Sequence, residues 1–271
     1  MAGSQTTRSA AQVTPDLLVV RKCKGNAELE ACVQLQKEVW NFSDADLIPL
    51  RMFVVAERIG GQVIGCFDGA ELVGFALSIP GTRSGHPYLH SHMLAVREQF
   101  RNAGLGRRLK LAQRDEALER GIELMEWTFD PLEIKNAYLN IERLGAISRR
   151  YTINQYGITS SPLQGGLPTD RLVAEWWLRS KRVETVLGGK RPPVRVEKTI
   201  EVPCEIYQWK ADPKKRERAR QLQLENREGF LSAFSQGLAV LAYERDSKGE
   251  GKFILGRWDE PWSYAAGAGE R

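Results

Sequence analysis

Two stretches of this chain carry residues whose types and spacing can do chemistry. Residues 97–110 read REQFRNAGLGRRLK, which sets Gly104 and Gly106 among four arginines directly after the apolar run HMLAV. Glycines between a strand-like and a helix-like run mark a sharp turn. Bare backbone N–H groups, a helix N-terminus and nearby cations also make a cradle for phosphate. Just upstream, His90 and His92 are two of only three histidines, spaced so that they share one face of a strand. An imidazole titrates near neutrality, so either could take a proton from an ammonium; the pair could equally be satisfied structural polar residues. Two histidines without a third ligand do not make a zinc site, and no metal is expected. Glu126 and Asp130 flank the run EWTFD. Asp130, placed before Pro131, could bind a substrate ammonium, act as a base, or cap the helix that follows.

The elements that must position these groups can be read from periodicity. LLVVRK (17–22) is a strand, followed from Asn26, a plausible N-cap, by a helix with Leu29, Cys32, Val33, Val39 and Trp40 in register. The segment from Pro49 through MFVVAERIGG has no clear assignment. QVIGCF and ELVGFALSIP join through Asp68-Gly69, the signature of an antiparallel hairpin. YLHSHMLAV (88–96) alternates, with His90, His92, Leu94 and Val96 on one face and Leu89, Ser91, Met93 and Ala95 on the other. Residues 105–120 form an amphipathic helix ended by Gly121, and IELMEWTFD forms a strand stopped by Pro131. Ile134, Ala137, Tyr138, Ile141 and Leu144 mark a second helix, closed by Gly145, and ISRRYTINQYG a further strand.

That order implies a mixed sheet with helices on its faces. Residues 160–170 read as a connector, and LVAEWWLRSKRVETVL as strand or helix. VRVEKTIEVP and EIYQWK then look like strands, RERARQLQLENREGFLSAFS like a helix, and LAVLAYERD with KFILGRWD like a closing strand pair. The expected organisation is a short disordered lead-in (1–15), a core (16–160), a connector and pocket element (161–190), and a smaller α+β extension (191–271) packed on the core.

Composition narrows the function classes. With 271 residues, 42% of them hydrophobic and 27% charged, the chain can bury real cores and is not a disordered type. No run approaches the roughly 20 apolar residues of a membrane span, and the polar N-terminal stretch lacks a secretion signal's apolar segment, so a cytoplasmic protein without a membrane partner is expected. Cys23, Cys32, Cys66 and Cys204 are scattered with no CxxC pair, which argues against a disulfide framework or a zinc cluster. A net charge of +5 permits an anionic partner. No helix carries a dense basic face interleaved with aromatics, so a polyanionic small molecule suits the charge better than nucleic acid.

VREQFRNAGLGRRLKLAQRDEALERGIELMEWTFD resembles the acyl-CoA-binding core of the GNAT-type N-acetyltransferases. That core is a strand, an Arg/Gln-x-x-Gly-x-Gly/Ala loop, a helix, and a strand that splays from its neighbour. Arg101-Asn102-Ala103-Gly104-Leu105-Gly106 matches all three specified loop positions. The resemblance covers residues 17–157 and implies an α/β fold of α+β type, with a mixed, mostly antiparallel sheet, a splayed strand pair and flanking helices. It implies acetyl-CoA or another acyl-CoA as co-substrate, its diphosphate held by the main chain of residues 101–107 with Arg101, Arg107 and Arg108 at hand. Leu94, Ala95 and Val96 would pair with the pantetheine arm. The activity implied is N-acyl transfer, acetyl above all, to a small-molecule amine such as an amino acid, with connector and tail shaping the acceptor pocket and a homodimer possible.

One feature departs from the family. The tyrosine many members use to protonate the thiolate is replaced by Ile141, and the aromatic after the helix-ending glycine by Ala146. Tyr138 lies one turn earlier within the apolar stripe; Asn136 and Asn140, four apart, are candidates to bond the pantetheine or the thiolate. The departure leaves open a non-catalytic acyl-CoA-binding module. A looser resemblance of HSHMLAV, TFDP, NAYLN and GLPTDRLVAEW to a poorly characterised subgroup of acetyltransferases implies no substrate.

Overall fold

The computed structural model describes residues 17–157 and 164–263. Ten strands form one sheet: β1 (Val19–Lys22), β2 (Gln62–Asp68), β3 (Glu71–Arg83), β4 (His86–Val96), β5 (Leu124–Phe129), β6 (Ile147–Thr152), β7 (Arg171–Trp177), β8 (Lys198–Val202), β9 (Leu238–Arg245) and β10 (Gly251–Arg257). Their order is β1-β2-β3-β4-β5-β7-β6-β9-β10-β8. Every neighbouring pair is antiparallel except β4 with β5. The mixed, mostly antiparallel sheet expected from the sequence is therefore what forms.

Helices cover both faces. Helix α1 (Gly25–Trp40) and helix α2 (Leu50–Arg58) bury Leu29, Cys32, Val33 and Phe53 against Phe75, Met93 and Ala95 of the sheet. On the opposite face α3 (Leu105–Glu119) packs Leu105 and Leu109 on Val73 and Ala76. The same side carries α4 (Ile134–Ala137), which continues as a π-helical turn (Tyr138–Arg143). Ile134, Ala137, Ile141 and Leu144, the stripe read from the sequence, are fully buried there with Phe230 and Ala233. The remaining helices are α5 (Lys181–Leu187), α6 (Ile206–Ala211) and α7 (Arg216–Ser235).

Several expectations change. The unassigned segment after Pro49 is helix α2, and EIYQWK is helix α6 rather than a strand. LVAEWWLRSKRVETVL is both, strand β7 and helix α5, with the Ser180 hydroxyl accepting the Val183 N–H at 3.2 Å as a cap. Strand β7 lies inside the sheet between β5 and β6, so the connector supplies a core strand. The C-terminal strands continue the same sheet, joined where Ser148 faces Val240, instead of forming a separate unit packed on it. Asn26 is not the cap of α1: the Glu28 carboxylate accepts the Lys24 N–H at 2.7 Å and closes that end. Cys23 and Cys32, far from a motif in sequence, bring their sulfurs to 3.9 Å as buried thiols. The lead-in (1–15) with residue 16, residues 158–163 where core meets connector, and residues 264–271 of the extension lie outside the described residues.

Candidate active site

The parallel pair β4–β5 is short. It joins only at Leu89 opposite Met125 and His90 opposite Glu126. Beyond that point β4 stays with β3 and β5 stays with β7, so a gap opens between them. The gap leads into a cleft of about 660 Å³, lined by Ser91, His92 and Leu94 on one side and Trp127, Thr128 and Phe129 on the other. Main-chain groups at the gap's edge follow from the alternation of an antiparallel ladder. The Arg97 N–H donates to the Val73 carbonyl at 2.9 Å, which turns Ala95 toward β3 as well and leaves Leu94 and Val96 facing the gap. Ala95 is thus removed from the expected pantetheine contacts. The Val96 carbonyl is engaged by Arg101 Nε at 3.1 Å, which leaves its N–H.

The glycine loop ends at the start of α3. Gly104 caps the helix at φ 78°, in the left-handed region, and Asn102 also has positive φ at 64°. The first hydrogen bond into the helix is from Arg108 N–H to the Gly104 carbonyl at 3.1 Å. Among the described residues, the N–H groups of residues 102–107 donate to no protein acceptor. Asn102, Ala103, Gly104, Leu105, Gly106 and Arg107 therefore present six successive donors at the positive end of a helix dipole. Arg107 Nε donates to the Arg143 carbonyl at 3.2 Å. Burial, then the neighbouring Arg143 cation, lowers the Arg107 pKa, so an anion arriving here relieves a like-charge contact. Arg108 instead donates to the Leu18 carbonyl at 2.7 Å and ties β1 to α3, which takes it out of the expected cradle.

A β-bulge reorganises the histidine strand. Leu77 faces Met93 and Ser78 faces Ser91, which leaves His92 with no cross-strand partner. Strict alternation fails at that point. Ser91 donates to Gln113 Oε1 of α3 at 3.0 Å and Leu89 packs with Ala117, so both join Leu94 and Val96 on the α3 side, while Met93 and Ala95 face α1 and α2. His92 lines the cleft and His90 stands outside it, with ring centres 6.1 Å apart. Burial lowers both imidazole pKa values, that of His90 to about 4 with added repulsion from His92 and nearby cations. Both rings are neutral at pH 7, and His92 is placed to accept a proton.

The two carboxylates are committed elsewhere. Asp130 Oδ1 accepts the Leu132 N–H at 2.8 Å, and its Oδ2 accepts from buried Lys210 at 3.1 Å. Lys210 also donates to Glu133 at 2.7 Å. Asp130 forms part of the cleft wall and caps the chain into α4 rather than standing free as a base. Glu126 is paired with Arg83 and Arg150 and does not line the cleft, and burial raises its carboxyl pKa against their pull. Asn136 and Asn140 do line it, whereas Tyr138 faces another part of the surface and Ile141 and Ala146 are buried.

Sequence reasoning missed three groups of cleft residues. Lys110 of α3 is buried, with Nζ 3.4 Å from the centre of the Trp127 ring and no hydrogen-bond acceptor. Tyr156 shares a 2.7 Å hydrogen bond with Thr128 Oγ1, and Arg171 lies over its ring. Trp40, Phe42 and Asp46, between α1 and α2, close the outer wall. The signal for Lys110 was its place on the inward face of an amphipathic helix, a position where lysine is uncommon. Among its described residues the tail contributes no lining residue, only Lys210 behind the wall. Among the described residues, Cys204, Glu205 and Glu250 bring ligand atoms within 4.8 Å of one another, away from the cleft.

Residues 28–138 match the model of the acetyltransferase (GNAT) family. That segment, less than half of the chain, is similar to a GNAT acetyltransferase domain. The match contains the loop, the gap and α3 whole, and it supports an enzyme of acetyltransferase type with an acyl-CoA co-substrate. Similar solved structures include the ribosomal-protein-S18-alanine N-acetyltransferase of Escherichia coli, 15% identical over 60% of this chain and 95% of that one, with a TM-score of 0.48. Another is yncA of Salmonella typhimurium with its cofactor acetyl-CoA, 15% identical over 62% and 98%, TM-score 0.49. The ribosomal-protein-alanine N-acetyltransferase of Brucella melitensis is 19% identical over 58% and 98%, TM-score 0.46. No curated protein matches the chain. Among the described residues, no helix is long and apolar enough to cross a membrane.

Proposed function

We propose that this chain transfers an acyl group, acetyl in the family's usual case, from acyl-CoA to the amine of a small molecule such as an amino acid. The single observation that carries the reading is the run of six acceptor-free amides at residues 102–107, with Gly106 next to Leu94 at the edge of the β4–β5 gap. A diphosphate fits that run, with Arg107 beside it. The arm then passes the Leu94 main chain and the Val96 N–H, which the parted strands leave without a β5 partner, and comes within reach of the Asn136 and Asn140 side chains.

The acceptor enters from the Thr128, Tyr156 and Arg171 side, between walls supplied by the α1–α2 loop and the β6–β7 segment. Its nitrogen gives one proton to His92 and attacks the thioester carbonyl. The C–N bond forms, the C–S bond breaks, and the second amine proton passes to the departing thiolate, which Asn140 can hold by hydrogen bond. Donors from the backbone at the gap meet the oxyanion. In this division of labour residues 16–160 bind the donor, 161–190 wall the acceptor, and 191–271 support that wall, in a cytoplasmic setting.

A second reading, a module that binds acyl-CoA without turnover, draws on Tyr138 facing away from the cleft and on Asp130 being occupied. One experiment separates them. Calorimetry with CoA tests the cradle, and thiol release from acyl-CoA with a panel of amines tests transfer. Binding with release supports the enzyme, binding without release under every amine favours the module, and absent binding overturns both.

A further inference from the structure

Lys110 and Gln113 lie one turn apart on the inward face of α3, both buried, and Lys110 Nζ and Gln113 Nε2 find no acceptor in the protein. Lys110 lines the cleft beside Leu94 and Asn140, its amine set against the faces of Trp127 at 3.4 Å and Trp176 at 6.0 Å. A buried N–H without an acceptor costs stability, and a methionine or leucine would fill the same space without that cost. The empty protein offers this amine the indole faces but no hydrogen-bond acceptor. A ligand that enters the cleft can supply one.

The helix itself says which ligand that is. Lys110 is four residues, about 6 Å, along α3 from Gly106, on the side of the sheet that takes the donor. An arm that leaves the glycine loop and follows Leu94 into the gap brings its acyl end toward Trp127, whose ring backs the Lys110 amine. The acceptor's side, walled by Thr128, Tyr156 and Arg171, is reached from the other direction. An acetyl methyl offers Lys110 no acceptor, whereas a carboxylate offers two.

Resting on the acyl-CoA reading above, we infer that the preferred donor carries a carboxylate at the far end of its acyl group, a short dicarboxylic acyl-CoA of the malonyl to succinyl class, and that Lys110 is the counter-ion that selects it. Gln113 stands behind the amine as a second donor without an acceptor. The indole faces suit a cation as well as an amine, so the position is stabilised once the pair forms. Burial drives the Lys110 pKa well below the ordinary lysine value, and an entering carboxylate works against that shift.

The test is calorimetric binding of CoA, acetyl-CoA, butyryl-CoA and succinyl-CoA to the full chain and to Lys110→Met, with thiol release measured alongside. The wild type is expected to bind succinyl-CoA about tenfold or more tightly than acetyl-CoA or butyryl-CoA. In Lys110→Met the three thioesters fall within about twofold of one another, with CoA affinity unchanged. Equal binding of acetyl-CoA and succinyl-CoA by the wild type overturns the inference. So does butyryl-CoA matching succinyl-CoA, which would mean length and not charge, or a preference that survives Lys110→Met. Intact-mass detection of an acyl group on Lys110 itself would make the amine a nucleophile and also overturn it. Loss of CoA binding altogether strikes instead at the site reading on which the inference stands.

Discussion

Gly104 offers the sharpest test of the phosphate cradle because its surroundings separate two effects. A Cβ built there meets nothing within 4 Å, so a side chain brings no clash. The backbone is another matter, since φ is 78° and valine in the left-handed region costs about 1–2 kcal/mol or more. The Gly104→Val loop relieves that cost by rotating, and the N–H groups of residues 104 and 105 rotate with it. Each hydrogen bond to a charged phosphate is worth about 1.5–3 kcal/mol, so losing two, partly replaced by water, removes about 3 kcal/mol or a factor of about 100 in the Kd for CoA. Gly69 supplies the control, with φ 59°, no atom within 4 Å of a built Cβ, and a place in the β2–β3 hairpin turn away from the cleft. Calorimetry with CoA and denaturant unfolding are run on both valine variants. Similar destabilisation with weakened binding only in Gly104→Val is expected. If both variants bind CoA within about threefold of wild type, the amides of residues 102–107 do not hold the diphosphate.

Three further outcomes follow from the cleft. With its pKa lowered by burial, His92 keeps the acid limb of kcat/KM below the ordinary imidazole value near 6.5, and His92→Ala costs about 100-fold in kcat with CoA affinity kept; a limb at or above 6.5 would exclude it as the base. His90 titrates near 4 when folded and near 6.5 unfolded, so between those values the unfolded chain binds the extra proton; stability present above pH 6.5 is lost toward pH 4 by up to about 3 kcal/mol, and His90→Asn flattens that slope in denaturant titrations. Lys210→Met leaves Asp130 and Glu133 without their shared buried cation and is expected to cost about 3 kcal/mol or more in unfolding free energy, an effect that Asp130→Asn with Glu133→Gln in the same chain reduces.

What could be read in the sequence divides along a physical line. Local signals sufficed for the glycine loop, the Asp68-Gly69 hairpin, the α3 amphipathic face and the stripe through Ile134 and Leu144, because each is a property of neighbours in the chain. The mixed sheet followed from their order, and its mostly antiparallel character from the family resemblance. The histidine faces did not, since the bulge at His92 is set by the pairing of β4 with β3, two strands whose register no residue of HSHMLAV states alone. For Asp130 the sequence left base, ammonium site and helix cap open, and the pairing of Asp130 and Glu126 was hidden for a similar reason. Their partners, Lys210 and the pair Arg83 with Arg150, lie 80, 43 and 24 residues away. EIYQWK, too short to show a period, took its helical form from packing Ile206 into the main core.

The same long-range contacts explain why the matched family segment and the working site have different limits. The segment ends at residue 138, yet β5, the second strand of the gap, is held in place by β7, which forms more than thirty residues later. Strand β7 is in turn paired with β6, and β6 with β9 of the tail. At the end of β5, where the acceptor's wall begins, Asp130 and Glu133 are drawn together by Lys210 of α6. A tail whose described residues line none of the cleft therefore braces the cleft wall at Asp130, through one continuous sheet and one buried ammonium. On the proposed reading the diphosphate end of the donor meets only the loop, β4 and α3, and is the part least dependent on that tail. Acceptor geometry depends on it most, so a Lys210 variant that still folds should keep its CoA affinity while its amine KM rises, and unchanged kinetics in that variant would detach the tail from the site.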